Sequence, residues 1–256
     1  MIDRSLFAED VGQLIDLLES ESWPLAAPEV LLCKNEDDKV ERAEGIIHSL
    51  LPELSDKNVL DFGCGEGHVA VESSRMAKHS VGYDIKSEGS LWDVHKDVLT
   101  NDFEVVKEGA PYDFIVLYDV LDHTEDPVAV LEQVKSVANK ETNIFVRCHP
   151  WIGRHAGHLY RQMNKAWIHV IFTNEELEKM GLKPDVVQKV LAPLNTQRGW
   201  FSKAKLKIIS QTIVKGRVED FFRNPLFDSR LPKIDAGKSF PEFQMTQTFN
   251  DYLLKI

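Results

Sequence analysis

Cysteine is scarce in this sequence, and the three that occur, Cys33, Cys64 and Cys148, are far apart. They form no C-x-x-C pair, which argues against a zinc knuckle and against a framework of disulfide bonds. No apolar run approaches the ~18 residues that a membrane span requires, and the first residues lack the apolar core of a secretory signal. Internal repeats and low-complexity tracts are absent as well. We therefore expect a reduced, cytoplasmic protein without a membrane partner.

Basic residues are outnumbered, with 30 Lys and Arg against 41 Asp and Glu and a net charge of −11 over 256 residues. This balance argues against a dedicated nucleic-acid binder, whose footprint is usually basic. The charge is unevenly divided, because residues 1–141 contain 31 acids and 12 bases whereas residues 142–256 contain 10 acids and 18 bases. Such asymmetry is itself a clue to partners, and the basic half points to a small anionic molecule.

Short apolar runs alternate with helical segments through the middle of the chain. Strands are predicted at residues 59–62, 80–84, 112–117, 143–147 and 206–214, and helices from about 67 to 77, from 127 onward and at 173–180. The first fifty residues read as helical, with a second helix from just after Asn35 to about Leu51. Alternating strands and helices predict βαβ units and a parallel sheet. Ligands of such sheets bind beyond the carboxyl ends of the strands.

The strongest local signal is the run Val59-Leu60-Asp61-Phe62-Gly63-Cys64-Gly65-Glu66-Gly67. Its glycines permit a tight turn and close approach of a ligand to the backbone, and the following helix offers free N–H groups. A dinucleotide fingerprint would need its third glycine at position 68, which is His68. Asp61 would repel a pyrophosphate but attract an ammonium group. The loop therefore suits a nucleoside with an amino-acid tail, and a glycine turn without a ligand is the alternative.

A second acid, Asp84, ends the next predicted strand about twenty residues further on, where an acid can accept both hydrogen bonds of a ribose diol. A helix N-cap is the alternative role for this residue. Taken with Asp61, the ribose interpretation predicts a ligand that carries both a ribose and an ammonium group.

Three ordered segments, VLDFGCGEG at 59–67, VGYDI at 81–85 and YDFIVLYDVLDHTEDP at 112–127, resemble the class I S-adenosylmethionine-dependent methyltransferases. The resemblance covers about residues 55–215. It implies an α/β fold with a doubly wound, seven-stranded, mostly parallel Rossmann-like sheet, an antiparallel last strand and an N-terminal helical cap.

The same resemblance implies how the chain is divided. Residues 206–214 followed by 217–222 look like the final hairpin of the sheet. The expected parts are a helical cap or lid at 1–51, the S-adenosylmethionine-binding methyltransferase domain at 52–222 and a C-terminal extension at 223–256. The extension is expected to pack on the cap or to mediate a homodimer.

The resemblance further implies which residues surround S-adenosylmethionine, with S-adenosylhomocysteine as the product. The implied cofactor-binding positions are Asp61, Phe62, Gly63, Cys64, Gly65, Gly67, Asp84, Ile85, Asp102, Tyr118 and Asp119. Asp61 and the glycines would line the methionine part, and Asp84 would hold the ribose. Asp102 is the candidate for the adenine amino group because of its spacing to Tyr112, and Asp97 is the fallback.

The segment Tyr118-Asp119-Val120-Leu121-Asp122-His123 follows the fourth predicted strand, where this family places residues that flank the methyl group. Many members show E-x-x-E-H, and this sequence has D-x-x-D-H. In the favoured interpretation Asp119 and its backbone contact the cofactor, while Asp122 and His123 fix the loop. In a second, His123 is a general base. In a third, both carboxylates and the imidazole bind a divalent metal, which oxygen-rich sites suit. We predict no metal.

Residues 142–174 contain no acid but hold four histidines, three arginines and interleaved aromatic residues. His149 follows the fifth predicted strand, which places it at the mouth of the cofactor cleft as first choice for a general base. Arginine forms forked, charge-assisted bonds to carboxylate or phosphate. The candidates for binding an anionic acceptor are therefore Arg147, Arg154 and Arg161. The catalytic candidates are His149, His123 and Arg147.

Several alternatives exist for this basic half. Its histidines and arginines could be capping and loop residues, or His149, His155 and His158 could bind zinc, although their spacing matches no standard site. Cys148 could be a nucleophile for pyrimidine methylation, but cysteine is often simply buried. A further loop is expected at 195–201, where Arg198 and Trp200 would help form the acceptor pocket.

The leading functional interpretation is an S-adenosylmethionine-dependent methyltransferase that methylates an oxygen or nitrogen of a small, anionic molecule. The alternative enzyme is an RNA or DNA methyltransferase, supported by aromatic residues in the basic half. It is opposed by the absence of (D/N)-P-P-(Y/F) after the fourth strand. A regulatory protein that binds the cofactor without turnover is a third hypothesis. His68 disfavours a nicotinamide dehydrogenase.

Overall fold

A computed structural model describes residues 2–28, 32–51, 53–183, 186–189, 193–216, 224–227, 230–231, 233–234, 238–239 and 246–256. The chain forms two compact units, each made of three stretches. The sheet unit comprises Cys33–Cys148, Leu194–Thr212 and Asp251–Ile256, and the accessory unit comprises Met1–Leu32, His149–Pro193 and Ile213–Asn250. These limits differ from the expected divisions after residues 51 and 222. None of the helices in the described part combines the length and apolar character needed to cross a bilayer.

Strands of the chain form one large sheet and one small one. They are β1 (Asn58–Phe62), β2 (His79–Tyr83), β3 (Leu99–Thr100), β4 (Phe114–Tyr118), β5 (Asn143–Cys148), β6 (Lys207–Lys215), β7 (Lys233–Ile234), β8 (Lys238–Ser239) and β9 (Gln247–Lys255). The large sheet has seven strands in the order β3-β2-β1-β4-β5-β9-β6, and β7 pairs with β8. Its first five strands in chain order pair in parallel. The predicted Rossmann-like sheet is confirmed.

Helices alternate with these strands as the sequence predicts. They are α1 (Glu9–Glu19), α2 (Glu36–Leu50), α3 (His68–Ser74), α4 (Ser90–Val94), α5 (Phe103–Glu108), α6 (Pro127–Ser136), α7 (Ile168–Ile171), α8 (Asn174–Lys179) and α9 (Pro193–Lys203). Local capping explains several starts: the Asn35 side chain caps α2, and Asp126 caps α6 ahead of Pro127. Thr173 and Glu176 form a reciprocal capping box at the start of α8.

The core of the sheet unit lies on both faces of β1 and β4. Val59, Leu60, Ile115 and Leu117 have no exposed surface, so strands that read as continuous apolar runs are covered on both sides. α2 packs on this core through Ile47. Each fully buried aliphatic side chain of this size contributes roughly 1.5–3 kcal/mol. This burial fixes the strand ends from which the polar residues of the site emerge.

The last strand, β9, lies between β5 and β6. The guanidinium of Arg147 in β5 donates two hydrogen bonds of 2.6 Å to the carboxylate of Asp251 in β9. The ammonium of Lys255, at the other end of β9, donates to the carbonyl of Glu141 just before β5 at 2.6 Å. Because residue numbers rise along β9 as they fall along β5, β9 runs antiparallel to its neighbour.

The second arm of the expected final hairpin lies outside the described residues. β6 confirms the predicted strand at 206–214, but its neighbour in the sheet is β9 rather than residues 217–222, which lie outside the described residues. The N–H of Gly216 donates to the carbonyl of Thr246 at 2.6 Å, so the two strands are joined across about thirty intervening residues. The neighbour of β6 in the described sheet therefore comes from later in the chain than residues 217–222.

The accessory unit has its own apolar core, centred on Trp23. The indole N–H of Trp23 donates to the carbonyl of Ala166 at 2.8 Å, and its ring lies 5.7 Å from Phe227 and 6.1 Å from Phe172. The apolar face of α1 packs into the same cluster. Burying a large aromatic ring with its polar atom satisfied gives the unit a well-defined centre.

Asp251→Ala should destabilise the protein, because Arg147 is only 15% exposed and would lose its bidentate partner. We expect a loss of about 2 kcal/mol, less than removal of one partner costs in a fully buried pair. Glu104→Gln is the control: it breaks the exposed ion pair with Lys107 and should cost less than about 0.5 kcal/mol. Urea unfolding of both variants makes the comparison, and equal midpoints would contradict the role of Asp251 in holding β9.

Candidate functional site

The loop after β1 turns through three glycines with left-handed backbone. Gly63, Gly65 and Gly67 have φ of +79°, +55° and +94°, values that glycine adopts without steric cost. The N–H groups of Gly63 and Cys64 both donate to the carbonyl of Tyr83 in β2, at 2.7 and 3.0 Å. The loop is therefore tied to the neighbouring strand before α3 begins.

Close packing requires two of these glycines, and the third faces open space. A Cβ at Gly63 would lie 2.5 Å from a methyl group of Val120, and one at Gly67 would lie 2.6 Å from a methyl group of Leu99. A Cβ at Gly65 would have no described atom within 4 Å apart from its chain neighbours. The middle of the loop thus leaves room for a ligand against the backbone.

Asp84 follows β2 and supports the same loop. Its carboxylate accepts hydrogen bonds from the N–H of Gly65 at 2.9 Å and from the N–H of Lys86 at 3.0 Å. The N-cap alternative is not observed, since the next helix, α4, has Gly89 as its N-cap. Beside Asp84 the apolar side chain of Ile85 is 78% exposed. An acid and an exposed apolar side chain in sequence suit a ribose and an adjoining flat ring.

Asp61 is a buried acid at the end of β1. The pKa of Asp61 is raised from 3.8 to about 7, because burial and the negative charge of Asp84 together outweigh a backbone hydrogen bond from Ala70 that lowers it. A buried carboxylate is costly unless a cation or hydrogen bonds compensate it. A ligand ammonium group would supply that compensation. The buried carboxylate of Asp61 therefore fits the amino-acid tail of a ligand.

Two further predicted cofactor residues are packed into the sheet unit. The ring of Phe62 lies 5.1 Å from that of Tyr83 and 6.3 Å from that of Phe103. Burial raises the pKa of the Cys64 thiol well above its usual range, which keeps it protonated. These side chains shape the loop, and the backbone of the loop is the part that a ligand could approach.

The two candidates for the adenine position lie at opposite ends of β3, one before the strand and one after it. Asp102 comes two residues after the strand, and its side chain caps α5 by accepting the N–H of Glu104 at 2.9 Å. Asp97 precedes the strand. Because ligands bind beyond the carboxyl ends of strands, this placement favours Asp102.

The residues after β4 turn sharply at Asp119. Asp119 has a left-handed φ of +58°, and its N–H donates to the carbonyl of Arg147 at 3.1 Å. Its carboxylate lies 3.7 Å from the guanidinium of Arg42. Burial raises the pKa of the preceding Tyr118. A strained turn held from two sides is typical of a functional position.

Asp122 and His123 lie in a short 3₁₀ helix, Leu121–His123. The carboxylate of Asp122 is buried, and the Nε2 atom of His123 lies 3.9 Å from it. Thr124 closes the turn by donating its hydroxyl to the carbonyl of Leu121 at 3.1 Å. This compact arrangement is what loop-fixing residues would show.

Arg147 is engaged within the sheet unit. Besides its two bonds to Asp251, its third guanidinium nitrogen donates to the hydroxyl of Tyr118 at 2.7 Å, and the group lies 4.8 Å above the Tyr118 ring. All three nitrogens therefore contact protein groups. The expectation that Arg147 binds an anionic acceptor lacks support from these contacts, which instead hold β4, β5 and β9 together.

α2 contributes three side chains to this edge of the sheet, which the sequence analysis missed. The carboxylate of Glu36 is hydrogen-bonded to Nε2 of His68 at 2.6 Å, and Lys39 forms an ion pair with Glu66 in the glycine loop. Arg42 reaches Asp119 and lies 5.3 Å above the ring of Tyr118. The three residues recur every three positions, so a polar stripe on one helical face was the available signal.

His149, the first residue after β5, belongs to the accessory unit. Its Nδ1 atom lies 2.9 Å from the carbonyl of Thr248, and since a carbonyl only accepts, Nδ1 carries the proton. The rings of His155 and His158 lie edge-on to it at 5.0 and 5.4 Å. Among the described residues the ligand atoms of these three histidines do not converge as a metal site requires.

One further expectation changes with the structure, and one alternative loses support. Residues 195–201 are not a loop but part of α9, in which Trp200 is buried and Arg198 donates to the side chain of Gln211. Asn, Thr and Gly in that run mimic a loop, but burial of apolar side chains overrides weak helix propensity. Cys148 is fully buried and burial raises its pKa well above the usual range, whereas a nucleophile needs a thiolate.

Asp61→Asn should stabilise the ligand-free protein at neutral and alkaline pH. Because the folded protein holds the Asp61 proton up to about pH 7, the wild type loses stability as the pH rises from about 4 to 7. The neutral amide avoids that loss, which amounts to at most about 4 kcal/mol above pH 7.

Thermal unfolding between pH 5 and 8 tests this expectation, with Glu88→Gln at an exposed position as the control. The advantage of Asp61→Asn over the wild type should grow with pH, while the control should track the wild type. A constant difference, or a less stable Asp61→Asn variant at pH 8, would show that Asp61 is not a strained buried acid.

Comparison with known proteins places this geometry in a family. Residues 36–183, more than half of the chain and beginning with α2, match a family model described as a methyltransferase domain. Ubiquinone biosynthesis O-methyltransferases from Paraburkholderia phytofirmans and Paraburkholderia xenovorans are 29% and 27% identical over 94 residues. Those matches cover 33% of this chain and only 40% of each relative.

The fold is similar to that of an S-adenosylmethionine-dependent methyltransferase from Mesorhizobium loti. The TM-score is 0.50 at 13% identity, and the similarity covers 84% of this chain and 98% of that one. The sheet order, the glycine loop and the family match agree with the resemblance of the sequence motifs. The chain belongs to the methyltransferase-domain family, within the class I S-adenosylmethionine-dependent methyltransferase superfamily.

Proposed function

We propose that the protein transfers a methyl group from S-adenosylmethionine to an oxygen or nitrogen of a small, anionic molecule. The observation that carries the proposal is the pair of acids at the glycine loop. Asp61 is buried with a pKa raised to about 7, and Asp84 supports a loop that is open at Gly65. A ligand with an ammonium group and a ribose satisfies both acids.

In this proposal each part of the cofactor has its own contacts. Asp61 and the backbone of the glycine loop hold the amino-acid tail, and Asp84 accepts the ribose hydroxyls. Ile85 packs on the adenine, and the carboxylate of Asp102 accepts a hydrogen bond from the adenine amino group. Tyr118 and Asp119 complete the site from the end of β4, where Arg42 supports both. When bound, the cofactor supplies a methyl group on a positively charged sulfur. The sulfur is the leaving group and keeps the electron pair of the broken carbon–sulfur bond.

His149 is the proposed general base. Its Nδ1–H is engaged by the carbonyl of Thr248, so the neutral ring has its lone pair on Nε2. When the acceptor oxygen or nitrogen forms its bond to the methyl carbon, the acceptor loses one proton, and Nε2 of His149 takes it. Positioning of the two reactants also contributes to the rate enhancement.

Asp122, His123 and Arg147 are proposed to position the site. Asp122 and His123 keep the turn after β4 in shape, which leaves Asp119 and its backbone to contact the cofactor. Arg147 holds Tyr118 from one side and Asp251 from the other. No metal takes part in this proposal.

Two features support the choice of acceptor. The curated relatives are named O-methyltransferases, which favours oxygen as the methylated atom. The acid-free stretch 142–174 carries Arg154 and Arg161 in the accessory unit, which favours an anion. A cofactor-binding protein without turnover is the competing function, and it would bind S-adenosylhomocysteine tightly yet methylate nothing.

Asp84→Ala should weaken binding of S-adenosylhomocysteine about 100-fold, because two hydrogen bonds to a charged group are lost. Asp102→Ser, which keeps an N-cap for α5, should weaken it about tenfold. Asp97→Ala is the control and should bind like the wild type. Isothermal titration calorimetry measures all three. Unchanged affinity of Asp84→Ala would refute the ribose role, and a loss at Asp97 rather than Asp102 would move the adenine contact there.

His149→Ala should lower kcat about 100-fold, the usual effect of losing a general base, while the affinity for S-adenosylhomocysteine stays within about twofold. The fall in rate at acidic pH, which reports protonation of the base, should be absent from the pH–rate profile of His149→Ala. Production of S-adenosylhomocysteine with hydroxylated carboxylic acids measures the rate. Full activity of His149→Ala would remove the residue as the base, and absence of the fall at acidic pH in His123→Ala instead would assign the base to His123.

A further inference from the structure

Of the three glycines in the loop after β1, Gly65 is the one that packing does not fix. Side chains of Val120 and Leu99 lie against Gly63 and Gly67, whereas a Cβ at Gly65 would have no described atom within 4 Å apart from its chain neighbours. Glycine has the widest backbone freedom of all residues. The left-handed φ of +55° at Gly65 therefore depends on hydrogen bonds rather than on packing.

Two side chains hold Gly65, one at each of the peptide units that flank it. The carboxylate of Asp84 accepts the N–H of Gly65 at 2.9 Å, and the indole N–H of Trp92 donates to the carbonyl of Gly65 at 2.8 Å. Both side chains belong to the connection between β2 and β3. This one connection therefore sets the backbone on both sides of the open glycine.

Trp92 is itself fixed within the sheet unit. It lies in α4 and is only 8% exposed. It belongs to an apolar cluster whose other buried members are Ala70, Val71, Val98 and Leu99. A phenylalanine would also fill an apolar site, but it has no hydrogen-bond donor, whereas tryptophan combines a large apolar ring with an N–H group. Trp92 therefore serves the carbonyl of Gly65 as well as the core.

The bond to Trp92 also sets the direction of the peptide that follows Gly65. The Gly65–Glu66 peptide bond is trans, and in a planar trans peptide the C=O and the N–H point in opposite directions. Because the carbonyl is turned toward α4, the N–H of Glu66 points away from that helix. Among the residues that the structure describes, this N–H forms no hydrogen bond. The arrangement thus leaves one backbone donor of the loop for a ligand.

We propose that Trp92 is a positioning residue for S-adenosylmethionine, and that its indole N–H holds Gly65 in the shape that the cofactor requires before the cofactor binds. A loop that is ordered in advance lowers the entropic cost of binding. In the proposed function Asp84 also accepts the ribose hydroxyls, so the bond from Trp92 keeps Gly65 in place while Asp84 is shared with the ligand. This inference rests on the proposed function, which assigns the loop to the cofactor.

Trp92→Phe keeps an aromatic ring in the cluster and removes the N–H donor. It should weaken binding of S-adenosylhomocysteine about fivefold to tenfold, the effect of one lost hydrogen bond. Trp23→Phe is the matched control, because Trp23 also donates its indole N–H to a backbone carbonyl at 2.8 Å, in the core of the accessory unit. This control should bind S-adenosylhomocysteine like the wild type. Calorimetry measures both affinities, and urea unfolding verifies that both variants are folded.

NMR of the wild type provides a readout that does not depend on the folding of any variant. The indole N–H signal of Trp92, assigned from its neighbours in the apolar cluster, should exchange slowly with solvent because the group is buried and hydrogen-bonded. It should shift when S-adenosylhomocysteine binds, because its acceptor lies in the loop. The indole signal of Trp23 should stay in place. A tryptophan that only fills the core would not respond to the ligand.

These measurements separate the two proposals. If the wild type and Trp92→Phe bind S-adenosylhomocysteine equally well, the role of Trp92 is overturned and the methyltransferase proposal stands. An equal loss of affinity in Trp23→Phe, or a Trp92 signal that ignores the ligand, would overturn that role as well. Weaker binding by Trp92→Phe alone, in a protein that never turns over the cofactor, would support the role of Trp92 and refute the proposed function. A wild type that does not bind S-adenosylhomocysteine would overturn both.

Discussion

The carbonyl of Tyr83 accepts two consecutive N–H groups, those of Gly63 and Cys64, and this pair of bonds joins the end of β1 to the end of β2. Gly63 makes the join feasible because its left-handed backbone lets the chain turn directly after the strand. The join brings Asp61 within electrostatic reach of Asp84, and Asp84 in turn supports Gly65. Like charges near a buried carboxyl are unfavourable in the absence of a ligand, so the edge is organised for a cation.

Features set by neighbouring residues could be predicted from the sequence. The strands β1, β2, β4, β5 and β6 fall within about two residues of their expected limits. For β1, β2 and β4 the reason is that buried parallel strands read as apolar runs. The capping box of Thr173 with Glu176 was also predictable, since both bonds lie within one helical turn. The glycine loop and Asp84 were found because their spacing along the chain is itself the signal.

Features set by distant residues could not be predicted in this way. The role of Arg147 depends on Asp251, which is 104 positions away, and the turn at Asp119 depends on Arg42. α9 was mistaken for a loop because its stability comes from buried residues such as Phe201, whose ring lies 4.8 Å from that of Tyr252. Residues 1–51 read as one helical cap, yet α2 belongs to the sheet unit. A pocket in the accessory unit is lined by residues 25–28 together with Thr248, and no local pattern in the sequence indicates that these residues are close.

The position of β9 between β5 and β6 bears on how the chain reaches its native state. In the described sheet β6 has β9 as its neighbour, so β6 cannot add to the sheet in the order in which it is synthesised. The parallel strands can assemble through contacts between elements that follow one another. β9, which begins about thirty residues beyond β6, must enter the sheet between β5 and β6. The entropy of closing this long loop is lost before the strands form their hydrogen bonds. Until that segment arrives, β5 is the edge strand of the parallel part of the sheet, and an unpaired edge is a place where another chain can pair.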